Sequence, residues 1–397
     1  MVITLKLKIW KILGLISIMV FMLSTTASVH AASLTTTIPV GSQPVGVAYD
    51  PSMHEIFVAN YLSGDIQVIS DSTNAVVADI TALSQYAGAP YDLAYDSAKG
   101  EMWVTDATGA YAISDATNTI VANVTNGIVP GWGGLTRIAY DSGKGELFVS
   151  YTIYDEPSLN LVQVISDSTN TIVANITISA YAMVYDPAKG EIFASEESSD
   201  VGNQDIAVIS DTTNAIIATI PVGADFLAYD SAKGEIFAES AGTGVYVISD
   251  SSNKVIATIN DESFWWEGTL AYDSAKGEIF LNGHNEVDVI SDSTNKVIGS
   301  VSTNFSYPTD IAYDSGTGQL YAANSGIPGT IVVISDSSSG TSSSTSTPSS
   351  TTSAGATSTP KVPEFSSAAL VSVGIALIAL TVSAVALKAR TRKSPRT

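Results

Sequence analysis

Cysteine is absent from this chain, so neither a disulfide nor a thiolate metal site supports the fold. Histidine is nearly absent: His30 lies in the N-terminal leader region, leaving only His54 and His284. There is no His-Glu-x-x-His pair, no Gly-x-Ser-x-Gly elbow and no Gly-x-x-x-x-Gly-Lys-Ser/Thr loop. The common metalloprotease, serine-hydrolase and nucleotide-binding signatures are therefore missing. Basic residues are scarce as well. Between residues 33 and 336, eight Lys/Arg face 38 Asp/Glu, a formal charge of about −30 where the whole chain carries −22. Nucleic acid is not expected as a partner of such a surface, because phosphate binding needs clustered Lys and Arg. The charge suits solubility and loose association with divalent cations. No cofactor is expected.

What is abundant is one pair. Tyr-Asp recurs at Tyr49-Asp50, Tyr95-Asp96, Tyr140-Asp141, Tyr185-Asp186, Tyr229-Asp230, Tyr272-Asp273 and Tyr313-Asp314, a mean interval of 44 residues. A period of this length marks stacked supersecondary units, none able to bury its apolar face alone. Each copy reads approximately Ala-Tyr-Asp-Ser-x-Lys-Gly-Glu-Ile-Phe, then a variable stretch, then Val-Ile-Ser-Asp-Ser-Thr-Asn-x-Val-Ile-Ala-x-Ile. Four short Val/Ile/Phe/Tyr runs per copy, bounded by turn residues, read as strands. In the third copy they fall at about 135–141, 146–151, 160–166 and 171–177. Four strands in about 40 to 45 residues are the signature of a propeller blade.

The expected fold is all-β: a seven-bladed β-propeller of four-stranded antiparallel blades over residues 33–336. Phe57, Trp103, Phe148, Phe193, Phe237, Phe280 and Tyr321 share one second-strand position and are read as inter-blade core. The seventh copy ends at Ile334-Ser335-Asp336 without its outer strand. Thr36-Thr37-Ile38-Pro39-Val40-Gly41 matches the fourth strand Ala218-Thr219-Ile220-Pro221-Val222-Gly223. The N-terminal segment is therefore expected to close the ring and cover an edge that would otherwise template aggregation.

The copies resemble YVTN-type β-propeller repeats of archaeal and bacterial surface proteins. The eponymous tetrapeptide stands as Phe57-Val58-Ala59-Asn60, Trp103-Val104-Thr105-Asp106 and Tyr321-Ala322-Ala323-Asn324, and it drifts at Phe193-Ala194-Ser195-Glu196 and Phe280-Leu281-Asn282-Gly283. The resemblance implies the propeller and a surface-layer-like setting but no particular chemistry.

The ends of the chain point to the cell surface. Lys6, Lys8 and Lys11 precede an apolar run from Ile12 to Leu23 and then Val29-His30-Ala31-Ala32, the three parts of a secretory signal peptide over residues 1–32. An uncleaved anchor is the rival reading. Residues 337–362 are mostly Ser, Thr, Gly, Ala and Pro, a disordered stalk by composition. Within residues 363–397, an uncharged apolar stretch from Ser367 to Leu387 is long enough for one transmembrane helix, and Lys388, Arg390, Arg392, Lys393 and Arg396 follow on the cytoplasmic side. Pro363-Glu364-Phe365 before this span resembles the archaeal PEF-CTERM sorting signal. That resemblance implies an archaeosortase-type processing enzyme as a partner and a lipid or other anchor in place of the helix. A permanent single-span anchor is the alternative.

Three sequons, at Asn123, Asn175 and Asn304, offer N-glycosylation sites, the first two on or beside outermost strands. The first-to-second and third-to-fourth turns repeat nearly verbatim at one end of the propeller, and their carboxylates are read as turn chemistry. The other end varies: its longer loops run over 126–134, 152–159, 197–204 and 260–266. Three residues before each repeated Tyr stand Gly46, Asp92, Arg137, Ala182, Phe226, Thr269 and Asp310, expected at the channel mouth of this variable end. Asp92, Arg137 and Asp310 are candidates for a charged ligand site, with Arg137 neutralising nearby acids as the plainer reading. Trp132, Trp265 and Trp266 are candidate contacts for a sugar or partner, or simply pack under long loops.

No catalytic cluster stands out. The expected role is an extracellular, surface-anchored binding, adhesion or envelope-associated module without catalysis, with surface glycans or proteins as partners. The alternatives are an extracellular hydrolase or lyase with a charged or metal site at the channel mouth, and a structural envelope component.

Overall fold

The Val/Ile/Phe runs between repeated turns form 28 strands in seven four-stranded antiparallel sheets, as a computed structural model of the chain shows. The structure describes residues 32–81, 89–125, 137–153, 159–196, 205–260, 268–283, 285–303 and 307–336. The chain divides into two units, 1–341 and 342–397, and all the described residues belong to the first. No helix occurs among them, so none there is long and apolar enough to cross a membrane. The expected signal peptide, stalk, PEF-like tripeptide and C-terminal helix lie outside the described residues.

Each sheet is a meander running from an innermost to an outermost strand. The innermost strands are Pro44–Asp50, Leu93–Asp96, Ile138–Asp141, Ala180–Asp186, Phe226–Asp230, Thr269–Asp273 and Pro308–Asp314, so every Tyr-Asp pair ends the first strand of its blade. In the third blade the strands are Ile138–Asp141, Glu146–Ile153, Leu159–Ser166 and Thr171–Ile176, within a few residues of the sequence expectation.

The ring closes as expected. Ser33–Val40 pairs antiparallel with Gly329–Ser335, placing Ile38 opposite Ile331 and Val40 opposite Gly329. The seventh sheet is thus three C-terminal strands completed by the N-terminal one.

The core lies between blades rather than within them. Apolar side chains of adjacent sheets interlock in seven clusters, one per junction; Phe57, Ile66 and Val68 of the first blade, for example, pack on Met102, Val104 and Ile113 of the second. The seven second-strand aromatics are all fully buried, which places them in this core. The outermost strands are mostly exposed and turn one buried aliphatic inward near their end, such as Ile80, Ile176 or Ile220. Asn123 and Asn175 sit exposed on these outer strands, and Asn304 lies outside the described residues.

The verbatim turns have a geometric cause. Gly100 and its counterparts Gly145, Gly190, Gly234, Gly277 and Gly318 adopt φ of 65–69°, the left-handed region that costs a side-chain-bearing residue about 1–2 kcal/mol. A Cβ at Gly100 would also meet Asp115 Oδ2 at 2.7 Å. Blade one is the exception, with His54 at φ 58° in this position.

Candidate functional site

The two ends of the propeller use their polar residues differently. At the end carrying the repeated turns, the Tyr-Asp aspartates cap their own turns, as Asp50 Oδ1 does by accepting Ser52 N at 2.7 Å and Met53 N at 3.2 Å. They also face the next blade. The phenol of Tyr95 lies against Asp50, Tyr140 against Asp96, Tyr185 against Asp141, Tyr229 against Asp186, Tyr272 against Asp230, Tyr313 against Asp273, and Tyr49 against Asp314. Burial, and then these carboxylates, push each phenol well above its ordinary range. The contact is looser than a linear hydrogen bond, since Oδ2 of Asp50, Asp96, Asp141, Asp186, Asp230 and Asp273 is buried without a hydrogen-bonded partner.

A second contact crosses the same junctions. Lys99 reaches Asp167 of the following blade at 3.6 Å, Lys144 reaches Asp211 at 3.6 Å, Lys189 reaches Asp250 at 3.5 Å, Lys233 reaches Asp292 at 3.2 Å and Lys276 reaches Asp336 at 2.7 Å. The ammonium groups of Lys99, Lys144, Lys189 and Lys276 also donate to the backbone carbonyls of their partner aspartates. The repeated carboxylates are therefore inter-blade fasteners as well as turn caps.

The opposite end holds the channel mouth. Val45, Tyr91, Arg137, Tyr181, Phe226, Thr269, Pro308 and Thr309 line a cavity of about 140 Å³ there. Arg137, on blade three, places its guanidinium carbon 5.2 Å from the Tyr91 ring centre, 5.5 Å from Tyr181 and 5.3 Å from Phe226, and its Nε donates to the Tyr181 carbonyl at 3.1 Å. One side chain so ties blades two, three, four and five.

The structure brings Asp92, Arg137 and Asp310 into one electrostatic group. Asp92 Oδ2 accepts Ile138 N of the next blade at 3.1 Å, and Asp310 Oδ2 accepts Val47 N of the next blade at 2.7 Å. Each carboxylate therefore staples two innermost strands. Blade one between them carries Gly46, where a side chain would meet the Tyr91 carbonyl oxygen at 2.6 Å. All three charged residues are half-buried, so solvent in the channel still reaches them. Desolvation raises the Asp310 carboxyl to about 7, with Asp92 adding to the rise and the hydrogen bonds from Val47 and Ile311 and the Arg137 charge opposing it. Desolvation raises Asp92 also, against Arg137. Burial disfavours the Arg137 cation, but Asp92, the facing phenols and Asp310 outweigh that and hold it charged.

Trp132, Trp265 and Trp266 lie outside the described residues, as do the loop segments 126–136, 154–158, 197–204 and 261–267 and the second histidine, His284. Of the expected mouth positions, Arg137, Phe226 and Thr269 line the cavity. Tyr91 and Tyr181 come from one residue earlier and were not singled out by spacing. Register breaks between Ala180 and Ala182, Pro44 and Gly46, and Pro308 and Asp310 accompany Tyr181, Val45 and Thr309 on the cavity wall.

No protein-family model and no curated protein matches this chain.

Proposed function

We propose that this protein is a secreted, surface-tethered propeller of the YVTN-repeat type that binds a partner at the variable end of its channel and does no chemistry of its own. The difference between the two ends carries this reading. One end spends its repeated polar residues on joining blades, whereas the other surrounds a cavity with residues that do not repeat. That cavity, about 140 Å³, is smaller than the roughly 300–1,000 Å³ typical of enclosed small-molecule sites. It suits the tip of a glycan or one protein side chain, received among Tyr91, Tyr181, Phe226 and the hydroxyls of Thr269 and Thr309. The signal peptide, stalk and C-terminal span read from the sequence support a tethered placement outside the cell. Whether the helix is kept or exchanged by an archaeosortase-type enzyme is read from the mass of the mature C-terminus.

Screening the full-length protein against glycan and surface-protein arrays tests the binding role. A ligand lost on Tyr181→Ala and on Arg137→Ala, with melting temperatures recorded for both, supports it. A ligand retained by both variants places binding elsewhere.

Asp310 favours a second reading, an extracellular hydrolase or lyase, because a carboxyl near 7 is poised for proton transfer at neutral pH. Its two oxygens already accept Val47 N at 2.7 Å and Ile311 N at 2.9 Å, which supports a structural role over a base. Turnover of any arrayed ligand that Asp310→Asn abolishes while binding persists would favour the enzyme.

A further inference from the structure

Arg137 is the only arginine between residues 33 and 336, and its guanidinium is not consumed by the fold. Its Nε donates to the Tyr181 carbonyl at 3.1 Å, and no other hydrogen bond and no ion pair holds the guanidinium among the described residues. The terminal nitrogens keep their N–H donors in a planar fork, at a residue that lines the cavity. Asp92 and Asp310 would be the obvious partners, but the backbone takes their oxygens. Asp92 accepts Leu93 N at 2.9 Å and Ile138 N at 3.1 Å; Asp310 accepts Ile311 N at 2.9 Å and Val47 N at 2.7 Å. They hold the cation charged through space without occupying its donors. The Asp310 carboxyl, raised to about 7, is partly protonated at neutral pH, which removes part of the repulsion an incoming anion would meet.

A second group points to a ligand from another blade. Thr269 lines the same cavity, is 4% exposed, and keeps its Oγ1 buried without a hydrogen-bonded partner. Buried hydroxyls are seldom left in that state, and an acceptor brought in by a ligand would satisfy it. The surface beside the cavity is apolar on the side of blades one and seven. Tyr61 meets Tyr91 edge-on with ring centres 6.1 Å apart. Leu62, Tyr307 and Ile327 are 56%, 69% and 77% exposed. Backbone bonds tie their loops together: Leu62 N donates to Ser42 O at 3.1 Å, Gln43 N to Gly326 O at 2.9 Å, and Ser325 N to Tyr307 O at 2.7 Å. Tyr307 leads directly into Pro308 and Thr309 on the cavity wall. Exposed aliphatics elsewhere lie mostly on outermost strands, away from the channel.

We propose that the mouth receives the free C-terminal carboxylate of a partner polypeptide, gripped by the Arg137 fork and the Thr269 hydroxyl, with the partner's last apolar side chains lying on Tyr61, Leu62, Tyr307 and Ile327. The assignment rests on the mouth being the binding end, and it adds the class of group that enters. A planar carboxylate matches the guanidinium fork in charge and shape. Only that carboxylate and the first atoms behind it need enter, which agrees with a cavity of about 140 Å³. The exposed apolar side chains next to it favour a peptide over a sugar as the body behind the carboxylate.

The test uses the full-length protein and an array of short peptides tethered by their N-termini and ending in Leu, Ile, Val or Phe, each made as the free acid and as the amide. Free acids are expected to bind, with the matching amides at least about tenfold weaker, the scale of losing a hydrogen bond to a charged group. Thr269→Val, which gives up a hydroxyl that has no partner in the fold, should melt with the wild type and bind the acids about tenfold more weakly. Arg137→Lys keeps the charge without the fork and should lose at least as much. Acids and amides bound alike overturn the proposal, as do acids bound undiminished by both variants. A glycan that binds and is lost on Tyr181→Ala, where no peptide is held, also overturns it while keeping the mouth as the binding end. If neither peptides nor glycans are lost on Tyr181→Ala, both fall together.

Discussion

The phenol of Tyr49 faces the carboxylate of Asp314 across the seam where the last blade meets the first. Six other Tyr/Asp pairs repeat that contact around the ring, so the covalently open junction is joined by the same fastener as the continuous ones. Asp314 also caps its own turn by accepting Gly316 N at 2.7 Å and Thr317 N at 3.1 Å. Tyr49→Phe should therefore cost about 1 kcal/mol, the net worth of one polar contact, and Asp314→Ala more, about 2–3 kcal/mol, since it strands buried donors as well. Urea unfolding of both, beside Tyr185→Phe as an internal junction, checks this. A neutral Tyr49→Phe with a costly Tyr185→Phe would mean that the seam does not use the contact.

Blades and their closure were legible because each turn is written out seven times and because Ile38-Pro39-Val40 copies Ile220-Pro221-Val222. The Lys-to-Asp fasteners were not, because Lys99 and its partner Asp167 lie 68 residues apart and meet only once adjacent blades are set side by side. Tyr91 and Tyr181 escaped for a different reason. Alternation along a strand predicts which face a residue takes, and the register break beside Tyr181 changes that count. Asp92, Arg137 and Asp310 could be gathered from spacing alone, yet spacing said nothing of the backbone amides of Ile138 and Val47 that hold the two carboxylates.

Closure by Ser33–Val40 contributes packing as well as backbone pairing. Ile38 is 4% exposed and Val40 7%, both within the cluster that joins blades seven and one. Ile38→Ala should destabilise by about 2–4 kcal/mol, the usual range for such a buried truncation. Deleting 34–40 removes the whole strand and leaves Gly329–Ser335 as an open edge, so a much larger fall in melting temperature and faster aggregation are expected. A deletion variant that melts with the wild type would sink the closure role.

The lysine side chains are about a third exposed while their aspartates are nearly buried, as with Lys189 at 30% against Asp250 at 12%. Solvent screens part of the attraction, but removing the cation leaves Asp186, Glu191 and Asp250 clustered without it. Lys189→Met, the substitution nature made at position 53, should cost about 1–2 kcal/mol at low ionic strength, above the usual worth of an exposed pair and below that of a buried one. The loss should shrink in 1 M salt, where the Debye length falls to about 3 Å. Thermal melts at two ionic strengths measure it; a loss independent of salt would assign the effect to packing of the lysine stem.

The raised Asp310 carboxyl sets a direction for stability against pH. Its folded value, about 7, lies above the ordinary unfolded aspartate near 3.9, so between those values the folded state holds a proton that the unfolded state has released. Stability from this group therefore falls as pH climbs from about 4 to about 7 and is level above that, a total on the order of 2–4 kcal/mol. Asp92 is shifted in the same direction and adds to the slope. Asp310→Asn removes the titration, although its amide cannot accept both Val47 N and Ile311 N, so the variant should start lower at pH 5 and lose less on the way to pH 8. Removing the opposing charge with Arg137→Met should steepen the fall. Urea unfolding at pH 5, 6, 7 and 8 decides the matter: parallel curves for wild type and Asp310→Asn would show that the carboxyl is already ionised at pH 5 and that its neighbours tolerate the charge.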